Sequence, residues 1–167
     1  MTGAIGPDFA APRDDRYLED YVPGSSYRYG SVTLDEASII AFARDYDPQP
    51  LHIDPAAASA GVYGGLIASG WHTACVMMRI LVDHVLSPVS SLGSPGCDEL
   101  RWLKPVRPGD TLSVRITFHD RRRSRSKPDR GLVAASIEIL NQADETVMTM
   151  KTTLYLRARD PAPPEAA

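Results

Sequence analysis

Residues 69–86 read SGWHTACVMMRILVDHVL. Trp71, Ala74, Cys75, Met78, Leu81, Val82 and Val85 recur at helical spacing, and Val76, Met77 and Ile80 fill much of the remaining circumference. The spacing predicts a helix from Gly70 to about Leu86, with Ser69 as its N-cap and Pro88 closing it. A helix apolar on nearly all sides is usually buried inside a domain. Arg79, Asp83 and His84 interrupt the run, which is too short and too charged to span a bilayer.

Downstream, the period changes from helical to two. Leu100 and Trp102 alternate with Arg101 and Leu103. Leu112, Val114, Ile116 and Phe118 alternate with polar neighbours, as do Val133, Ala135, Ile137 and Ile139. Met148, Met150, Thr152, Leu154 and Leu156 line one face of a last strand. Turns at 104–110 and 141–145 join these strands into an antiparallel sheet. Upstream, Tyr27, Tyr29 and Ser31 give a weak strand signal. Thr33-Leu34-Asp35-Glu36 reads as a capping box, opening a helix from about Leu34 to Asp45 that Pro48 ends. One buried helix and one half-buried sheet satisfy each other if the sheet wraps the helix, an α+β arrangement. Residues 1–24 read as an irregular arm, 25–157 as a single domain, and 158–167 as a frayed tail.

At 167 residues the chain suits one domain. Such a length can bury roughly 70% of the unfolded surface, so no disulfide or metal staple is needed. A hydrophobic fraction of 43%, a charged fraction of 23% and a formal charge of −3 are ordinary, and give no push toward nucleic acid or membrane. Cys75 and Cys97 form no ligand-spaced cluster, which argues against zinc or redox chemistry and suits a reducing cytoplasm. The first residues carry no basic region followed by an apolar run, so no secretory signal is read there.

Between the two predicted helices lies DYDPQPLHIDPAAASAGVYGG, Asp45 to Gly65. Pro48 and Pro50 fix two φ angles and disfavour helix in their predecessors. Asp47 to His52 is therefore expected to be a stiff, non-helical bend whose ends can turn toward one point. Asp54 should cap a short turn starting at Pro55, and Gly61, Gly64 and Gly65 should form a loop. A carboxylate, an imidazole and a helix N-terminus are the parts needed to activate water beside a carbonyl.

YDPQPLHID followed by GGLIASGW resembles the MaoC-like dehydratase family, which includes (R)-specific enoyl-CoA hydratases; LRWLKPVRPGDTL is similar to the rest of that domain. The resemblance implies a hotdog fold, an antiparallel sheet curled round a long central helix, and a homodimer with a substrate tunnel near the interface. It implies Asp47 and His52 as the catalytic pair and the Gly70 amide as the group that binds the thioester oxygen. Gln49, Ser69, Gly65 and Trp71 are expected on the substrate side. The implied activity is that of an acyl-CoA hydratase/dehydratase, a carbon–oxygen lyase with no cofactor, acting on a thioester of coenzyme A or acyl carrier protein. Two positions depart from the hydratase pattern. Gln49 stands where Asn is usual, and Met78 stands where a Ser lies about two turns into the helix.

Singly, these residues have plainer readings. Asp-Pro is a common turn dipeptide, Ser69 has no nucleophile-elbow pattern around it, and Gly61 to Gly65 is not a phosphate-binding fingerprint. His72 and His84 read as structural or surface residues, and His119 as exposed. The basic run Arg121 to Arg130 reads first as a solvated hairpin and second as a phosphate-binding patch. The rival functions are a hotdog acyl-CoA thioesterase, disfavoured because the first carboxylate after Gly70 is Asp83, and a non-catalytic acyl-binding module.

Overall fold

A computed structural model describes residues 3–160. Strand β1 (Gly3–Ala4) and two 3-10 turns, Arg13–Asp15 and Leu18–Asp20, precede β2 (Ser26–Thr33). Three helices follow: α1 (Glu36–Tyr46), α2 (Pro50–Ile53) and α3 (Pro55–Ala60). The central helix α4 (Gly70–His84) leads into β3 (Cys97–Trp102), β4 (Thr111–Arg123), β5 (Arg130–Leu140) and β6 (Thr146–Arg157). The sheet is antiparallel throughout, in the order β1-β2-β4-β5-β6-β3. The two-residue period of β4 and β5 places Leu112, Val114, Ile116, Phe118, Val133, Ala135, Ile137 and Ile139 in the core. From α4, Val76, Met77, Ile80 and Leu81 join the same cluster.

The sheet covers only one side of α4. Leu81 and Val85 are buried as expected, but Trp71, Met78 and Val82 of the same stripe are 57%, 46% and 42% exposed, and Cys75 is exposed as well. An all-round apolar helix therefore presents a second apolar side outward. Helix α1 starts later than its sequence suggests. Thr33 belongs to β2, its Oγ1 lying 2.8 Å from the Thr111 hydroxyl, so Asp35 takes over as cap and accepts from the Ser38 amide at 2.7 Å.

The N-terminal arm is packed against the domain. Phe9, Leu18 and Tyr21 are buried, and Phe9 and Tyr21 form an aromatic cluster with Phe118. Arg16 lays its guanidinium 3.6 Å over the Phe9 ring and donates to the carbonyls of His84 (2.7 Å) and Val85 (3.1 Å). Those are orphan acceptors at the end of α4. The Tyr21 hydroxyl donates to the Val85 carbonyl at 2.8 Å, and burial pushes its pKa up to about 12. Leu18 sits against Gly131, where a Cβ would come within 2.5 Å of its side chain. The expected tail begins later than residue 158. Ala158 is buried, and Arg159 pairs with Asp15 at 2.8 Å and Asp20 at 3.0 Å. The rest of that tail, 161–167, lies outside the described residues. Among the described residues no helix is long and apolar enough to cross a membrane.

Candidate active site

Asp47 is the C-cap of α1, its N–H bonded to the Ala43 carbonyl at 2.8 Å. The chain from Asp47 to Gln49 is a tight non-helical turn, the Gln49 N–H donating to the Asp47 carbonyl at 2.7 Å, but Pro50 then opens the helical turn α2. Proline suits a first helical position because the N–H it lacks has no intrahelical partner there. The expected bend is thus non-helical only in its first half, and His52 projects from a helix. Its Nδ1 lies 2.8 Å from the Ile67 carbonyl. A carbonyl only accepts, so Nδ1 carries the proton and Nε2 is turned toward Asp47 Oδ2, 3.3 Å away.

Asp47 is held on both oxygens. Gln49 Nε2 donates to Oδ1 at 2.6 Å, and Ser69 Oγ donates to Oδ2 at 2.6 Å. These donors, with His52 alongside, hold the carboxyl below its ordinary value of 3.8. Ser69 does a second job as cap of α4, accepting from the Trp71 amide at 3.3 Å. It is fully buried and aims at Asp47 rather than outward, so its place is beside the acid and not on a substrate. Ser69 thereby ties α1 to α4.

Gly70 opens α4, and its N–H has no hydrogen-bond acceptor among the described residues. The space a Cβ would fill at Gly70 is taken by the indole of Trp102, 2.5 Å from Nε1 and 2.8 Å from Cδ2 of that ring. Asp47, Gln49, His52, Gly70 and Trp71 line one cleft of about 420 Å³ together with Tyr63, Thr73, Trp102, Leu103 and Lys104. Gly65 does not line it; its φ of +157° and the Arg107 guanidinium packed on it give it a turn-forming place. Met78 is on the outward side of α4, away from the cleft. Trp102, Leu103 and Lys104 escaped the sequence reading, which saw only a strand and a turn.

The remaining candidates have local roles. His72 stacks flat on Phe42 at 4.5 Å and His84 on Tyr29 at 4.9 Å. His119 is exposed and bonds Ser136 at 2.7 Å. In the basic run, Arg121 donates to the Glu19 carbonyl, Arg123 pairs with Glu19 at 2.6 Å, and Arg130 pairs with Asp129 at 2.7 Å. Asp83 is bound by Arg79 at 2.9 Å near the far end of α4. Among the described residues no group of three or more His, Cys, Asp or Glu is placed to hold a metal ion.

An antiparallel sheet curled round one long helix, with an acid and an imidazole meeting near that helix's N-terminus, defines a hotdog-fold protein. Residues 20–138 match the family described as MaoC like domain, and the chain belongs to that family. The crystal structure of a MaoC-like dehydratase from Rhodospirillum rubrum is 37% identical, with a TM-score of 0.78 over 87% of this chain and 99% of that one. Protein MaoC of Klebsiella aerogenes is 34% identical over 61% of this chain, and mesaconyl-CoA hydratase of Cereibacter sphaeroides 36% identical over 55%. The chain spans only 30% and 26% of the length of those two proteins.

Proposed function

We propose that this chain is an acyl-thioester hydratase/dehydratase, a carbon–oxygen lyase that adds or removes water across C2=C3 of an enoyl or 3-hydroxyacyl thioester. The observation that carries this reading is the 3.3 Å approach of Asp47 and His52 on the wall of a cleft that also contains the Gly70 amide. In hydration, a water gives a proton to Asp47 as its oxygen bonds to C3. The C2=C3 electrons move into the thioester carbonyl, and the Gly70 N–H at the positive end of α4 meets the enolate oxygen. Asp47 passes that proton across the 3.3 Å gap to Nε2 of His52. The enolate electrons then return to C2, which takes the proton from Nε2, and the pair is reset. Dehydration is the reverse.

Two donors on Asp47 keep it ionised at neutral pH, ready to take that proton. The relative named as a mesaconyl-CoA hydratase supports the reaction class over the residues that align. The reading includes a substrate carried on coenzyme A or acyl carrier protein, a homodimer and a cytoplasmic setting. The chemistry as written is carried by two side chains and one amide. A thioesterase acting from a carboxylate on α4 is disfavoured, because Asp83 lies at the far end of the helix and is engaged by Arg79.

The test is a panel of enoyl-CoA and 3-hydroxyacyl-CoA substrates, branched and dicarboxylic ones included, followed for gain or loss of conjugation. Asp47→Asn and His52→Ala should each lower kcat by about 10²–10⁴-fold while circular dichroism stays unchanged. Wild-type turnover by either variant refutes the assignment. Thiol release with conjugation intact would identify a thioesterase, and tight binding without turnover an acyl-binding module.

A further inference from the structure

Trp102 has no part in the proton transfers above, yet its ring fills the space that a side chain at position 70 would need. The strand that carries it is irregular. The pairing of β3 with β6 shifts between Asp98 and Arg101, and Glu99 adopts φ +50°. Leu100 packs on the core, whereas Trp102 is 46% exposed and lines the cleft. Its indole meets Trp71 edge-on, with centroids 5.3 Å apart at 79°. On the other side it closes the Cα flank of Gly70. Leu103, Pro105, Val106 and Val147 continue the wall that Trp102 begins. A large ring left nearly half exposed adds little to the core, so its burial there does not account for its size.

We propose that Trp102 is the residue that sets acyl size. This rests on the reading in which Gly70 binds the thioester oxygen. That contact and the Asp47/His52 pair fix two points of the acyl group, the carbonyl and C3. The indole, packed against Gly70, stands on the remaining side. Carbons beyond C3 must lie along its face or push it away, so short acyl groups fit and long ones are penalised. Pockets discriminate by single methylenes with factors of roughly 10–200, so replacing a whole indole has a large reach.

The experiment compares crotonyl-, octenoyl- and dodecenoyl-CoA as substrates for the wild type, Trp102→Ala and Trp102→Phe. The ratio of kcat/KM for octenoyl- over crotonyl-CoA should rise about tenfold or more in Trp102→Ala, with Trp102→Phe between. The same variants are titrated with butyryl- and octanoyl-CoA, saturated analogues that cannot react. Both tryptophans of the chain line this cleft, so the fluorescence of the remaining Trp71 reports binding in the Phe variant. An unchanged length profile in both turnover and binding overturns the proposal. Loss of turnover with every enoyl-CoA, in a wild type that still binds the saturated analogues, defeats the lyase reading alone and leaves the binding ratio to decide this one. No binding of any acyl-CoA overturns both.

Discussion

Asp47 accepts from Gln49 and Ser69 and lies beside His52, three contacts that each favour its anion. Its folded pKa is therefore below the ordinary 3.8. A lowered carboxylate adds stability above its unfolded pKa, and that contribution is lost as pH falls through the folded value. The stability gap between wild type and Asp47→Asn, read from urea midpoints, should be present at neutral pH and narrow below pH 3.8. Ser69→Ala removes one donor and must move the acid limb of kcat/KM upward. It also removes the cap of α4, costing about 1 kcal/mol in a separate stability measurement. An acid limb in Ser69→Ala that coincides with the wild type would show that Ser69 serves α4 alone.

At the scale of elements, α4 and β3 meet at Trp102, whose ring fills the space beside Gly70 and meets Trp71 edge-on. Gly70→Ala should destabilise the protein by about 1–3 kcal/mol through overpacking. The Gly70→Ala/Trp102→Ala double variant should cost less than the sum of the singles, because the clash goes with the indole; strict additivity in urea unfolding would contradict this. The periodic segments were legible in the sequence: α4 and strands β4 to β6 lie where spacing puts them. The errors came from neighbours the local pattern does not contain. Thr33 looks like a cap until Thr111 holds it in the sheet. Pro50 looks like a breaker until it falls at a first helical position, where it is a starter. In the site, Asp47 and His52 could be picked out by their spacing. Ser69's bond to Asp47, Ile67's to His52 and Trp102's contact with Gly70 could not, since each joins residues far apart in the chain.

For the whole molecule, the arm decides how firmly the far end of α4 is held. Leu18→Ala removes a buried side chain from the docked arm and should cost about 2–5 kcal/mol in denaturant unfolding. A loss near zero would mean the arm detaches freely. Tyr21 titrates with the fold. Its pKa is raised from 10.0 to about 12 by burial, so the neutral ring is favoured when folded. That contribution is complete below pH 10 and is lost as pH rises toward 12. Alkaline difference spectra should show this tyrosinate appearing near pH 12, with Tyr29, raised by burial and Asp8, also late, and Tyr21→Phe should remove one tyrosinate from that late signal.

The imidazole of His52 is oriented by a main-chain oxygen, that of Ile67. No single replacement at residue 67 deletes a carbonyl. Heritable variation can therefore reach the donors of Asp47 one codon at a time, but it can disturb the tautomer of His52 only by shifting the backbone itself. Saturation of residue 67 should leave far more working clones than saturation of residue 49 or 69.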